Sequence, residues 1–226
     1  MFDILFFRTF MIVGAMLVIT ALTSRVNKHF ETKGEMWATI AGTFAFLFSI
    51  IFFADIFPLN LVLVGIFSAL MGWQIGPAIT SVGLRYKQRK VKMSGSDVSA
   101  YELEWKNIVT EALVATAIAV IATASLVFLT NINFSFLGGF LFIALIILIL
   151  MSLANLLLFK SRLVSLARAY LGVVVFTLYL LYDFNRLEKM AGDDSWGAAV
   201  DIAVNIYLDI INLFLQLLEI LAETSD

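Results

Sequence analysis

Seven stretches of this sequence, at approximately 4–24, 36–57, 59–82, 108–130, 134–158, 166–184 and 197–221, are long apolar runs. A helix needs about 20 mostly apolar residues to cross the hydrocarbon of a bilayer, and each run reaches or approaches that length. None shows the alternating pattern of a membrane β-barrel strand. The expected fold is all-α and integral to a membrane, a single domain over 1–226 with seven hydrophobic helices. Composition agrees. The chain is 62% hydrophobic and 14% charged, where soluble proteins average roughly 45–50% and 25%. Arg8 precedes the first apolar run and small residues follow it, as in a signal peptide. Its length and the six runs after it predict a helix that is retained.

The chain has no cysteine. That removes disulfides, thiolate zinc sites, iron–sulfur clusters and cysteine nucleophiles. His29 is the one histidine, too few for a histidine-rich metal site, and is expected to be a solvated loop residue. A net charge of -2, with no basic cluster interleaved with aromatics, argues against a nucleic-acid partner. No cofactor is expected.

Between the second and third runs lie Asp55, Pro58 and Asn60. Pro58 suits a turn or a helix start, and Asp55 reads as a turn residue. Pro77 lies deep in the third run, after Gly72 and Gly76. A kink or break is expected there, with neighbouring protein bonding the freed carbonyl. Residues 83–106 form the longest polar connection, opening with Arg85, Lys87, Arg89, Lys90 and Lys92. Such a cluster can meet acidic lipid headgroups, but reads first as a topology signal. The loops after runs one, three and five hold three, six and three Lys or Arg, against Arg8, Arg186 and Lys189 on the other side. The odd-numbered loops, 83–106 among them, are therefore expected to be cytoplasmic. If the last run crosses, the C-terminus is inside; if it re-enters, outside.

The last run carries Asp201, Asn205, Asp209, Asn212, Gln216 and Glu219, spaced 4, 4, 3, 4 and 3. That spacing puts all six on one helix face, which lipid cannot solvate. An amphipathic helix lying on the membrane is one reading, yet such helices carry Lys and Arg and this face has neither. A seam of interhelical hydrogen bonds suits the amides. It suits an aspartate poorly, because an ionised carboxylate mid-helix costs about 2.5–3.5 kcal/mol. Asp201 and Glu219 are expected near water.

The sixth run ends in Thr177-Leu178-Tyr179-Leu180-Leu181-Tyr182-Asp183, with Arg186 three residues on. Asp183 pairs with Arg186 at the membrane surface, or it meets Asp209. Two carboxylates in one poorly solvated site cannot both ionise cheaply, so such a pair titrates as a unit and responds to pH near neutrality. It also offers hard oxygen ligands to calcium. Glu111 either completes a polar cavity or lies at a helix N-terminus, where the dipole favours it.

The C-terminal half resembles the Bax inhibitor family, the transmembrane Bax inhibitor motif proteins. The matching pieces are Phe134-Ser135-Phe136-Leu137-Gly138-Gly139, Leu181-Tyr182-Asp183 and Ile206-Tyr207-Leu208-Asp209-Ile210-Ile211-Asn212-Leu213-Phe214, with weaker matches at Gly76-Pro77 and Glu111-Ala112. The resemblance implies six helices around a central seventh. It also implies a proton-sensing pair at Asp183 and Asp209 tied to pH-dependent calcium leak. From their places in the sequence, Asn205, Asn212, Glu111 and Arg186 are the polar residues expected to support that pair. In that family, eukaryotic members suppress cell death and some bacterial ones restrain a membrane protease. Some bacterial relatives latch the aspartates with an arginine between segments two and three. Here Ala54-Asp55-Ile56-Phe57-Pro58-Leu59-Asn60 has no basic residue, and Arg186 is the nearest candidate.

The leading expectation is a pH-sensitive passive cation leak, calcium being the permeant ion and transient ligand of Asp183 and Asp209, in a bacterial inner membrane. The alternative is a non-conducting regulator that binds a membrane protease or stress-response partner. An intramembrane aspartyl protease is the third reading. Tyr182-Asp183 matches half of that signature, but bulky Ile206-Tyr207-Leu208 precedes Asp209 where Gly-x-Gly is needed, so no enzymatic activity is expected.

Overall fold

The computed structural model of the chain describes residues 3–95, 97–130 and 132–225. Seven long helices follow one another: α1 Ile4–Val26, α2 Lys33–Phe52, α3 Leu59–Ser94, α4 Glu102–Leu129, α5 Leu137–Ala154, α6 Arg162–Lys189 and α7 Trp196–Thr224. A 3-10 turn, Val98–Tyr101, leads into α4, and a π turn, Asn155–Phe159, follows α5. No strand occurs among the described residues. The seven helical segments are long and apolar enough to span, and the chain is a multi-pass integral membrane protein.

Side-chain caps open several of the helices, α1 and α2 among them. Asp3 accepts from Phe6 N–H at 3.0 Å at the start of α1. Thr32 accepts from Glu35 N–H at 3.0 Å at the start of α2, while Glu35 reaches back to Glu31 N–H at 2.8 Å. This reciprocal pattern satisfies donors that a helix start leaves open.

The polar stretch 83–106 is mostly helix rather than loop. Its basic residues continue α3 to Ser94, and its acidic ones open α4. Lys, Arg and Gln are good helix formers, and the two ends brace each other. Lys87 pairs with Glu102, Lys90 with Glu104 at 3.8 Å, and the Tyr86 hydroxyl donates to Glu104 at 2.7 Å.

The chain forms two compact units, Met1–Ser81 with Leu187–Tyr207 and Val82–Arg186 with Leu208–Asp226. In the first, Gly72 and Gly76 of α3 lie directly on the end of α1. A Cβ at Gly72 would clash with Thr23 and come within 2.5 Å of Thr20 O; one at Gly76 would clash with Asn27 O and come within 2.5 Å of Ser24 O. Pro77 lacks the N–H that would bond Trp73 O in a regular helix. Asn27 Nδ2 donates to that carbonyl instead, at 3.0 Å, and α3 runs through the proline unbroken. Asp55 does more than shape a turn. Its carboxylate lies against Gly197 in the first turn of α7, where the helix dipole favours a negative charge. Trp196 beside it stacks on Phe57 at 5.1 Å and lies under the Arg8 guanidinium at 4.4 Å.

Burial separates α7 from the rest. Of its most apolar 18 residues 61% are buried, against 11–39% in the other six. Ile202, Ile206, Leu213 and Leu218 are fully buried, as is Tyr207. A helix lying on the membrane surface would expose one face, so that reading is set aside.

Candidate functional site

Asp209 is the fourteenth of the 29 residues of α7, about 20 Å from either end. Asp183 lies in the last third of α6. The two side chains are 6% and 4% exposed, and their carboxyls stand within hydrogen-bonding reach of each other. Ionised carboxylates are acceptors only, so a bond between them requires a proton on one. Asp209 Oδ2 has no hydrogen-bond partner among the described residues. Two acids this close can share a proton if one of them carries it. Tyr179, one turn before Asp183, lies close to both carboxyls.

The loop and helix starts around α6 explain how Asp183 is held. Asn185, buried at 2% exposure, accepts from Phe134 N–H at 3.1 Å and from the Ser135 hydroxyl at 3.3 Å. Tyr182 packs on Gly138, where a Cβ would come within 3.0 Å of its ring. Phe184 is fully buried and meets Phe128 at 5.8 Å. The Phe134–Gly139 and Leu181–Asn185 motifs are thus two halves of one lock that fixes the turn of α6 bearing Asp183. Asn185 escaped the sequence reading. An amide two residues past an aspartate in an apolar run was the available signal.

The other candidates are placed as follows. Asn205 Nδ2 bonds Asp201 O at 3.0 Å and Asn212 Nδ2 bonds Leu208 O at 2.8 Å. Both amides therefore satisfy their own helix rather than donating those hydrogens to the pair. Glu111 is exposed on α4, nine residues past its start and so outside the first turn. Arg186 is half-buried on α6. Glu219, expected near water, is 5% exposed. It accepts from Arg85 at 2.7 Å and from the Ser165 hydroxyl at 2.9 Å. Its neighbour Glu223 pairs with Arg89 at 2.9 Å and with Arg162. Arg89 also donates to Ala222 O at 2.5 Å, so cations cap the C-terminal end of α7 as its dipole favours.

Calcium takes six to eight oxygens. Two carboxylates supply at most four, and no group of three or more His, Cys, Asp or Glu able to hold a metal occurs among the described residues. The pair alone therefore does not complete a calcium shell, and water would have to supply the remaining ligands.

Comparison with known proteins agrees with the motifs. The family model described as inhibitor of apoptosis-promoting Bax1 matches residues 93–226. An uncharacterized protein of Campylobacter jejuni is 29% identical over 209 residues, covering 92% of this chain and 80% of its own length. Bax inhibitor 1 of Schizosaccharomyces pombe is 27% identical over 223 residues, covering 95% and 74%. The Golgi anti-apoptotic protein of Vaccinia virus (strain Lister) is 29% identical over 184 residues, covering 81% and 67%.

Proposed function

The chain belongs to the Bax inhibitor family, and from that premise we propose that it is a passive cation leak whose gate is the proton shared by Asp183 and Asp209, with calcium as the permeant ion. The observation that carries the reading is the meeting of two buried carboxyls midway along α7 with one oxygen unpartnered. With the shared proton in place, the pair is compact and neutral on one side, and the path is closed. As pH rises the proton leaves. Two carboxylates then repel, and the site relaxes by separating or by taking up a cation. Arg186, three residues past Asp183, is the basic group assigned to pair with the ionised form. The basic residues of 83–106 put that side in the cytoplasm, and the membrane is a bacterial inner membrane. The bulky Ile206-Tyr207-Leu208 before Asp209 supports a role without catalysis.

Calcium flux into vesicles containing the purified protein, measured across a pH series, tests this. Wild-type flux rises with pH, and Asp209→Asn or Asp183→Asn removes the pH dependence. If both variants match wild type in flux and pH response, the reading fails. The yeast and viral relatives, named for Bax inhibition and for an anti-apoptotic role, favour a second reading, a non-conducting regulator of a protein partner. Wild-type vesicles without flux, together with a partner that co-purifies, would favour it.

A further inference from the structure

Resting on the leak reading above, we propose that the polar line of α7 carries the ion from Asp209 to the basic side of the membrane, and that the Arg85–Glu219 ion pair is the inner gate on that path. Two buried oxygens along the line have no hydrogen-bond partner among the described residues, Asp209 Oδ2 and Gln216 Oε1. Their residues are 6% and 8% exposed. Seven residues is two helical turns, so the two oxygens share a face about 10 Å apart. Orphaned buried acceptors are rare because each costs stability. Two on one face mark a track where a cation or its water supplies the missing partner. Gly172 of α6 faces this track. A Cβ there would come within 2.7 Å of Gln216 Cγ, so α6 closes over Gln216 without a side chain of its own.

One turn beyond Gln216 the track is blocked. Glu219 is held by Arg85 at 2.7 Å and by Ser165 at 2.9 Å, and one turn further Glu223 is held by Arg89 and Arg162. A guanidinium at this point repels a cation and occupies the carboxylate that would receive it. The two partners differ in a way a gate needs. The Glu219 side chain is 7% exposed and the Arg85 side chain 55%. Arg85 is free to turn toward water while Glu219 stays on the track as an oxygen ligand. Beyond it opens a cavity of about 490 Å³ lined by Arg85, Arg89, Arg162, Glu219 and Glu223, among others.

The test uses calcium flux in vesicles together with thiol labelling, for which the absence of native cysteine gives a clean background. Arg85→Gln raises flux at high pH about tenfold, the scale of losing one charge pair, and leaves the pH midpoint where it was. Arg85→Lys, which retains the positive charge, brings flux back down from the Arg85→Gln level toward that of wild type. A cationic thiol reagent added from the basic side modifies Gln216→Cys faster in the Arg85→Gln background than alone. Leu218→Cys, fully buried on the opposite face, stays unreactive in both, which also shows that the variants are folded. Unchanged flux in Arg85→Gln, or a Gln216→Cys thiol no more reactive than Leu218→Cys, overturns the inference while Asp209→Asn still tests the sensor. Wild-type vesicles that carry no calcium at any pH overturn both.

Discussion

Asp209 differs from the other polar residues of α7 in what it lacks. Asn205 and Asn212 turn their amides onto the helix itself, and Glu219 has an arginine. Asp209 faces another acid, and its Oδ2 has no hydrogen-bond partner among the described residues. Asn185 sets where that other acid stands. Asn185→Ala would leave Phe134 N–H unpaired in a buried setting, at about 1–3 kcal/mol. The expected outcome is a lower melting temperature in detergent and a shifted pH midpoint of flux. An unchanged midpoint would mean that the lock is structural only. A remote acid serves as the control. The Asp3 carboxyl is held below the ordinary aspartate range by N–H bonds from Phe6 and Gly192. Its stabilisation is present above its unfolded pKa and is lost only as pH falls through the lower folded value, so it contributes nothing to a change near neutrality.

At the scale of elements, α3 depends on α1 for its continuity. Pro77 opens the Trp73 carbonyl and Asn27 closes it, while Gly72 and Gly76 let the backbones approach closely enough for that bond. Asn27→Leu should cost about 1–3 kcal/mol by orphaning the carbonyl, and Gly76→Ala at least as much, because the added Cβ meets backbone that has no way to swing aside. Thermal unfolding in detergent measures both. If Asn27→Leu were neutral, water would be bonding Trp73 O. The π turn after α5 is ended by Lys160, whose φ of 46° is left-handed and whose N–H bonds Asn155 O at 2.8 Å. Such a cap stops a helix firmly, and α6 begins two residues later.

For the whole molecule the direction of α7 matters most. It is a continuous helix of 29 residues, about 43 Å, enough to cross. Its C-terminal end pairs with Arg89 and Arg162, so a crossing α7 predicts that Thr224 shares a side with the basic stretch and that Asp194 lies on the other. Single cysteines read by an impermeant thiol reagent check this. Ser99→Cys and Thr224→Cys should label from one side and Asp194→Cys from the other. Thr224→Cys labelling together with Asp194→Cys would mean that α7 re-enters.

Hydrophobicity alone determined that this chain crosses a membrane seven times or nearly so, because a helix in lipid satisfies its own backbone and its apolar length is read directly along the chain. The same local logic placed six polar residues on one face of α7 and marked Pro77 as needing an outside donor. Which donor it has, and which polar residue meets which, are distances between residues far apart in sequence. Only packing decides those. Tertiary structure brought Asp183 to Asp209, gave Glu219 to Arg85 rather than to water, left Glu111 exposed on α4, and made Asn27 and Asn185 the amides that hold two motifs in place.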